Sequence, residues 1–582
     1  MKNDKLIETD SVVIQINNRN GERYTNVGVK YSKNQKISDL NGWIEDATGI
    51  IVRKLKNGDI TDRNAISDYS LYEDDFVKTF QLKHDTYPYR IVYSYRKTTK
   101  DFISIGWEPG LFNLVPTHSA KLVFISPKNF KIRKYSHNIM ESVIDTVENS
   151  VRYRWESEYL KPFHDEIYSV SNRQVLPYVI ISPIHFVYGV EGENENWQTF
   201  GNWQYRLIKD LGVLPEDEKI KVAQLIKGIS DKREIVKVLY HYLQDHTRYI
   251  NVTIDVGGLK PYPASYVAQN KYGDCKALSN YMKALLNFAG INSFYTIIYR
   301  GEQPFEIIKS LPCAEYFNHA ILTVPLGKDT IWLENTSNTG PFGNVSYDIQ
   351  NREALVIDEF DSKLIKMPVL NKFDVMNCRK IDVTFTEAGH AAVLLKASFK
   401  GGDFDYFNQL KSDLNKDEQD EVIRKIIKIS NFDLIQWELN KPHRDTASID
   451  LSLKLTLYKA LKALGQENYF SNLGIGVPVF SNPKERANPV EISCPIYEVD
   501  SATYHLPVGY EIKSIPEKVS IVTIYGNYEF SVEPKGSVVM VFKKFELFSG
   551  NYSLSQYPDF YKFISAVNDK ENTKILIKKK YL

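Results

Sequence analysis

Short runs of alternating apolar and polar residues fill the chain from Ser11 to about Tyr188, with turn residues between them. Such runs occur at 11–16, 89–95 and 178–182. Alternation with a period of two is typical of strands that bury one face. The pattern therefore predicts an antiparallel β domain over residues 1–195.

Helical periodicity begins after the polar segment 191–196, which we interpret as a domain boundary. The apolar spacing predicts one helix over 215–229, a second over 231–246 with Asp231 as its cap, and a third that starts at Cys275. Strands are then predicted near 294–299, 320–324 and 330–334. Gly257-Gly258 lacks the spacing of a phosphate-binding loop and is predicted to form a tight turn. This mixture of helices and strands predicts an α+β core over residues 196–370.

From Lys372 onward the pattern again predicts mainly strands, ending with one at 574–577. Helices are predicted at about 416–429 and 558–567 as the only interruptions. The third region, 371–582, is therefore expected to be β-rich and sandwich-like, and whether it divides into modules 371–500 and 501–582 is left open. The predicted fold class is α+β and multidomain.

Composition removes several classes of function. A formal net charge of +1 over 582 residues argues against a nucleic-acid or membrane-surface binder, since either needs a basic patch. No run approaches the ~18 apolar residues of a transmembrane helix. The start of the chain lacks the apolar core of a signal peptide, so no compartment is assigned. Four cysteines are too few and too scattered for a disulfide framework, and Cys378 and Cys494 are predicted to be buried apolar residues.

The strongest chemical signal is Cys275, which follows Asp274 at the start of the third helix. Asp274 is a plausible N-cap, and free N–H groups together with the positive end of the helix dipole stabilise a thiolate. Thiolates, not thiols, are nucleophiles. The alternative for a single cysteine is a buried core residue with no catalytic role. The helix itself is predicted to be pinned by a buried stripe formed by Leu278, Tyr281, Met282, Leu285 and Leu286.

A histidine and an acid follow on a predicted hairpin. A two-residue loop at Leu326-Gly327 would set His319 directly opposite Glu334, whereas a four-residue loop would make them diagonal neighbours on the same face. Glu334 could then hold one ring nitrogen of His319 while the other takes the proton of Cys275. Asn335 is a rival orienting residue, although strand alternation turns it to the other face.

Other candidates stay open at this point. The backbone N–H of Cys275 is the natural first donor to an oxyanion, and either Tyr266 or Gln269 could supply the second. Cys313 either lines the same cleft or is simply buried. The other histidines lack metal-ligand spacing: His241 and His246 would lie on different faces of their helix, so we expect no metal and no cofactor.

The chain resembles the transglutaminase-like superfamily of papain-type folds, and its bacterial members in particular. The resemblance rests on the cysteine, histidine and acid blocks, Tyr272-Gly273-Asp274-Cys275-Lys276, Phe317-Asn318-His319-Ala320 and Trp332-Leu333-Glu334-Asn335. Many relatives carry Asp at the position of Glu334. The segment 37–55 resembles the uncharacterised β domain that precedes such cores, and 506–510 and 557–564 resemble its carboxy-terminal companion. Relatives usually carry an export signal, which this chain lacks as given.

The resemblance implies catalytic roles for Cys275, His319 and Glu334 in acyl transfer on peptide or amide bonds. Hydrolysis is favoured over amine transfer, because nothing in the sequence indicates a dedicated amine site. The expected partner is a peptide or protein, with cell-envelope glycan or peptidoglycan fragments left open. The alternative is a non-catalytic scaffold whose β domains bind a protein, peptide or glycan.

Overall fold

The computed structural model describes residues 5–65, 70–73, 75–253, 258–301, 306–427, 429–473 and 476–580. Antiparallel sheets dominate both ends, and most helices lie between residues 197 and 288, so the fold is α+β. Within the described ranges, no helix is both long and apolar enough to cross a membrane.

The amino-terminal region contains several small antiparallel sheets. Alternation of buried and exposed residues, as along Leu6–Ile16, gives each strand one face for the core. In sheet order, the strands are Leu6–Ile16, Tyr89–Thr99, Gln35–Glu45 and Ile51–Lys54; Asn26–Ser32, Asp75–Gln81 and Thr61–Asn64; Ala120–Pro127, Ser150–Ser157 and Val143–Val147; Ile132–His137, Tyr178–Pro183 and Ile105–Trp107; and the hairpin His185–Tyr188 with Val190–Glu193. Short helical turns occur at Arg19–Thr25, Asn57–Asp59 and Asn172–Val175.

The central region places helices against one five-stranded antiparallel sheet. The helices are Trp197–Ile208, Glu216–Leu225, Lys232–His246, Ala264–Asn270 and Cys275–Phe288, with a 3₁₀ turn at Ala314–Tyr316. The strands, in sheet order, are Asp329–Leu333, His319–Leu326, Phe294–Ile298, Glu353–Val356 and Lys363–Lys366. Two short parallel pairs join Arg248–Tyr249 to Tyr272–Gly273, and Asn251–Thr253 to Ser70–Glu73.

The carboxy-terminal region is built on an eight-stranded sheet. Its strands, in order, are Phe432–Asn440, Ile449–Leu457, Ala391–Phe399, Met376–Phe385, Ile496–His505, Val538–Leu547, Gly526–Lys535 and Val519–Val522. A four-stranded sheet contains Lys462–Leu464, Glu467–Ser471, Lys574–Lys579 and Tyr510–Ser514, and Val490–Ile492 pairs with Gly550–Tyr552. The helices are Gly401–Asp413, Lys416–Ile426 and Tyr557–Glu571.

The helix Cys275–Phe288 (the cysteine helix) is fixed by its buried stripe, as predicted. Leu278, Tyr281, Met282, Leu285 and Leu286 are all essentially inaccessible to solvent. Full burial of such side chains contributes roughly 1.5–3 kcal/mol each. The helix packs on the strand His319–Leu326, where the Ser279 hydroxyl donates to the carbonyl of Ala320 at 3.1 Å.

Several sequence predictions need correction. The helix expected at 215–229 is shorter, Glu216–Leu225, and the helix Gly401–Asp413 was not predicted, because its glycine pair and aromatic residues resemble a turn followed by a strand. The polar segment 191–196, interpreted as a boundary, contributes to the strand Val190–Glu193 and contains the buried Asn194. Cys378 is half-buried rather than buried, and Cys494 is buried.

Two predictions stay predictions. The division at about residues 195 and 370 is one. For the separate question of two carboxy-terminal modules, the eight-stranded sheet contains strands from both sides of residue 500. The turn at Gly257-Gly258 is the other. Gly257 lies outside the described residues, while Gly258 has a φ of 70°, the left-handed conformation of many turns.

Candidate active site

Cys275 is the first residue of its helix, and Asp274 is the N-cap, as predicted. The Asp274 carboxylate accepts from the backbone N–H of Ala277 at 2.9 Å. The neighbouring Lys276 ammonium lies 2.5 Å from the second oxygen of Asp274. Cys275 is only 7% exposed, so its thiol sits at the helix start in a largely dry environment.

The ring of His319 connects the thiol to Glu334. Its Nε2 lies 2.7 Å from the Glu334 carboxylate, and both residues are buried. The ring also interacts with the Cys275 side chain, which lowers the pKa of the thiol and raises that of the ring. Pro325 pairs with Thr330, as in the register predicted for the four-residue loop, and Leu326 also pairs with Asp329 across Gly327-Lys328. The register is therefore the diagonal one of the two predicted.

Glu334 lies directly after the last strand residue and is held by more than the histidine. Its other oxygen accepts from the backbone N–H of Thr336 at 3.1 Å and from the Thr336 hydroxyl at 2.6 Å. The Arg300 guanidinium lies 3.7 Å from the oxygen that faces His319 and is itself tied to Asp348 at 2.5 Å. Tyr240 donates to the Glu334 main-chain carbonyl at 2.8 Å. These contacts hold the Glu334 carboxylate in one orientation.

The electrostatics of the three residues favour a charged pair. Burial raises the pKa of the Cys275 thiol, but the Lys276 ammonium and the His319 ring outweigh it, so the pKa lies below its ordinary value. Burial lowers the pKa of His319, whereas Glu334 and the thiol raise it well above its ordinary value. Burial raises the pKa of Glu334, and His319 and Arg300 bring it far below. These directions favour a thiolate beside an imidazolium over the neutral pair.

A cleft with a volume of about 1490 Å³ opens in front of this group. His319, Glu334, Arg300 and Tyr249 line its inner end. Cys275 is not part of the lining, whereas the His319 ring with which it interacts is. The outer walls come from 165–169 and from the helix Gly401–Asp413, which belong to the two flanking regions.

The other sequence candidates lie elsewhere. Asn335 donates to the Ser279 hydroxyl at 3.0 Å, on the face turned away from His319. Cys313 is buried in a different apolar cluster, with Tyr178 and Tyr316, and burial raises the pKa of its thiol to about 12. Among the described residues, no group of three His, Cys, Asp or Glu side chains could hold a metal ion.

The two candidates for a second oxyanion donor are both on the helix Ala264–Asn270. The Tyr266 hydroxyl is hydrogen-bonded to the Tyr272 hydroxyl at 2.6 Å, and Gln269 is exposed. The structure therefore adds no contact between either side chain and Cys275, and the second donor stays a prediction.

Sequence reasoning missed Arg300, Asp348 and Thr336, as well as Asp405 on the cleft wall. Thr336 could have been found, because a hydroxyl two residues after a carboxylate commonly bonds back to it. Arg300 and Asp348 carry no such local signal, since they meet Glu334 only through tertiary packing.

Two family models match segments of the chain. Residues 2–164 match DUF3857 and residues 467–577 match DUF3858, each described as a domain of unknown function with a solved structure. No match was found among curated proteins.

A crystal structure from Parabacteroides distasonis, named a "putative protease", shares 13% identity and a TM-score of 0.66, and the match covers 98% of this chain and 96% of that one. A structure from Cytophaga hutchinsonii, named a "putative cysteine protease", shares 9% identity over 57% of this chain and 75% of that one. Its TM-score of 0.17 is too low to indicate a shared overall fold. The first match shows that the two chains share their fold over almost their whole length.

Proposed function

We propose that the protein is a cysteine-dependent acyl-transfer enzyme with a transglutaminase-like, papain-type core that acts on peptide or amide bonds. The observation that carries this proposal is the buried hydrogen bond of 2.7 Å between His319 and Glu334, together with the interaction of the same ring with Cys275. A structural cysteine has no need of an imidazole that is oriented by a carboxylate.

The mechanism follows from the assigned charges. The Cys275 thiolate attacks the carbonyl carbon, and the developing oxyanion lies near the free N–H groups at the helix start. The His319 imidazolium then gives its proton to the leaving nitrogen as the C–N bond breaks, which leaves a thioester on Cys275. The neutral ring next takes a proton from the incoming water, and hydroxide addition releases the acid and the thiolate. Glu334 keeps the ring oriented and stabilises its charged form throughout.

Hydrolysis is favoured over amine transfer. The Parabacteroides distasonis structure that shares this fold is named a "putative protease", a name that fits water as the acceptor. The cleft extends between the flanking regions, which suits a peptide or protein substrate better than a small amide.

The pH dependence of iodoacetamide labelling tests this proposal without a known substrate. Labelling of Cys275, followed by mass spectrometry of its peptide, should be rapid well below pH 8. His319→Ala should slow the reaction at pH 7 by at least about tenfold, because thiolate formation then loses its partner. Cys275→Ser identifies the labelled site, and the half-buried Cys378 serves as an internal reference thiol. Labelling of Cys275 no faster than that of a free thiol, and unchanged in His319→Ala, would instead favour the scaffold.

A further inference from the structure

The cleft that ends at His319 carries an excess of negative charge. Apart from Glu334, the carboxylates that line it are Asp165, Glu166, Asp348, Asp405, Asp413 and Glu491. Only Arg248 and Arg300 supply guanidinium groups to the lining. Arg300 is engaged by Glu334 and Asp348 and also acts on Asp405, so the carboxylates of the lining still outnumber the guanidinium groups that face them.

Asp405 lies on the helix Gly401–Asp413, and its carboxylate interacts electrostatically with Glu334. It accepts from the backbone N–H of Tyr347 at 3.0 Å, and among the described residues no Lys, Arg or His side chain forms an ion pair with it. Burial raises its pKa to about 6, with a further contribution from the negative charges of Asp348 and Glu334 and opposing ones from the Tyr347 N–H and the Arg300 guanidinium. A half-buried carboxylate in this position is stabilised by any cation that enters the cleft.

The size of the cleft indicates what kind of cation can enter. Its volume of about 1490 Å³ exceeds the roughly 300–1,000 Å³ of typical small-molecule pockets. Both flanking regions supply its walls, so an extended chain can lie between them and place a side chain on Asp405 while its backbone reaches His319.

We propose that the cleft selects acyl-donor peptides with a basic residue, and that Asp405 binds the ammonium or guanidinium group of that residue. The assignment rests on the proposed function, because it takes the His319 end of the cleft as the reacting centre. It adds the substrate class, which neither the fold nor the three catalytic candidates specify. It also assigns a specificity-determining role to the helix Gly401–Asp413 of the carboxy-terminal region.

Peptide binding to the Cys275→Ala protein tests the proposal independently of turnover. Fluorescence anisotropy would compare a peptide that contains Lys or Arg with the same peptide carrying Gln, and with one carrying Glu. The basic peptide should bind at least about tenfold more tightly than the Gln peptide, and the difference should shrink as salt is raised. Equal affinities for the three peptides would overturn the proposal, whatever the labelling experiment shows.

Asp405→Asn in the same background then locates the cation. It should weaken binding of the basic peptide about tenfold and leave the Gln peptide within about twofold, since Asn keeps a similar shape but has no charge. Glu387→Gln removes one charge from an exposed turn outside the cleft and is the matched control. A basic-peptide preference that survives Asp405→Asn with an unchanged melting temperature would refute the role of Asp405.

A free alkylamine provides the last arm, because an amine acceptor would also bring an ammonium group. If n-butylamine displaces the basic peptide as effectively as the unlabelled peptide does, the cleft binds the ammonium group of an amine acceptor. That result would overturn the acyl-donor assignment. Displacement only by the peptide supports it.

Discussion

At the scale of single residues, the orientation of the Glu334 carboxylate is set by its neighbours. Thr336 binds one oxygen, while His319 and Arg300 face the other. A side chain with one more rotatable bond than Asp needs such contacts to hold a single geometry. The chain thus supplies locally, through Thr336, part of the order that a shorter side chain would have by itself.

Glu334→Gln should move the pH midpoint of Cys275 alkylation upward, towards that of an ordinary thiol. A neutral amide no longer stabilises the imidazolium, so the raised pKa of His319 falls and the thiolate loses its charged partner. Rates of iodoacetamide labelling measured from about pH 5 to pH 9, a range that includes the ordinary pKa values of His and Cys, would reveal the shift.

Asn335→Ala is the matched comparison for this variant. Asn335 bonds Ser279 on the cysteine helix instead of His319, so its loss should lower stability and leave the labelling midpoint in place. An equal midpoint shift in Asn335→Ala would show that Asn335, and not Glu334, orients the ring.

At the scale of elements, the sequence predicted those parts of the site that local pattern controls. Asp274 as N-cap and the apolar stripe of the cysteine helix agree with the structure, and the diagonal hairpin register was one of two alternatives. Arg300 could not be predicted, because its approach to Glu334 depends on the pairing of strand Phe294–Ile298 with strand His319–Leu326. The helix Gly401–Asp413 was missed because tertiary packing overrides its weak local signal.

Asp274→Ala should destabilise the protein by ~1 kcal/mol, whereas Asp274→Asn should cost only a few tenths of that. Both variants remove the ion pair with Lys276, but only Ala removes the oxygen that caps Ala277. Urea unfolding compares the two, with Asp231→Ala as a reference cap on the helix Lys232–His246, where the Asp231 carboxylate accepts from Arg233 at 2.9 Å. Equal losses in the Ala and Asn variants would mean that the ion pair, and not the cap, stabilises the start of the cysteine helix.

At the scale of the whole molecule, the amino-terminal and carboxy-terminal regions meet beside the cleft. Arg486 is buried and donates to the carbonyls of Ile167 at 3.1 Å and Tyr168 at 3.2 Å. Glu166 accepts from the backbone N–H groups of Ala487 and Asn488. The segment 165–169, which walls the cleft, is therefore attached to the carboxy-terminal region, and substrate binding should depend on that attachment.

Arg486→Ala should loosen this wall without disturbing the proposed catalytic residues. The loss removes the guanidinium donors to Ile167 and Tyr168, although the Tyr168 carbonyl keeps the backbone N–H of Glu491. It should cost on the order of 2–4 kcal/mol, concentrated at the contact between the amino-terminal and carboxy-terminal regions. Hydrogen exchange of 164–170 should accelerate, and the basic peptide should bind more weakly, while Cys275 labelling keeps its pH midpoint because residues 275–334 retain their own contacts. Arg444→Ala is the control, since Arg444 also ties the carboxy-terminal region to a neighbouring region, here the central one through Asp245 at 2.7 Å, but does not line the cleft. An equal loss of peptide binding in Arg444→Ala would show that general loosening, and not the wall formed by 165–169, weakens the complex.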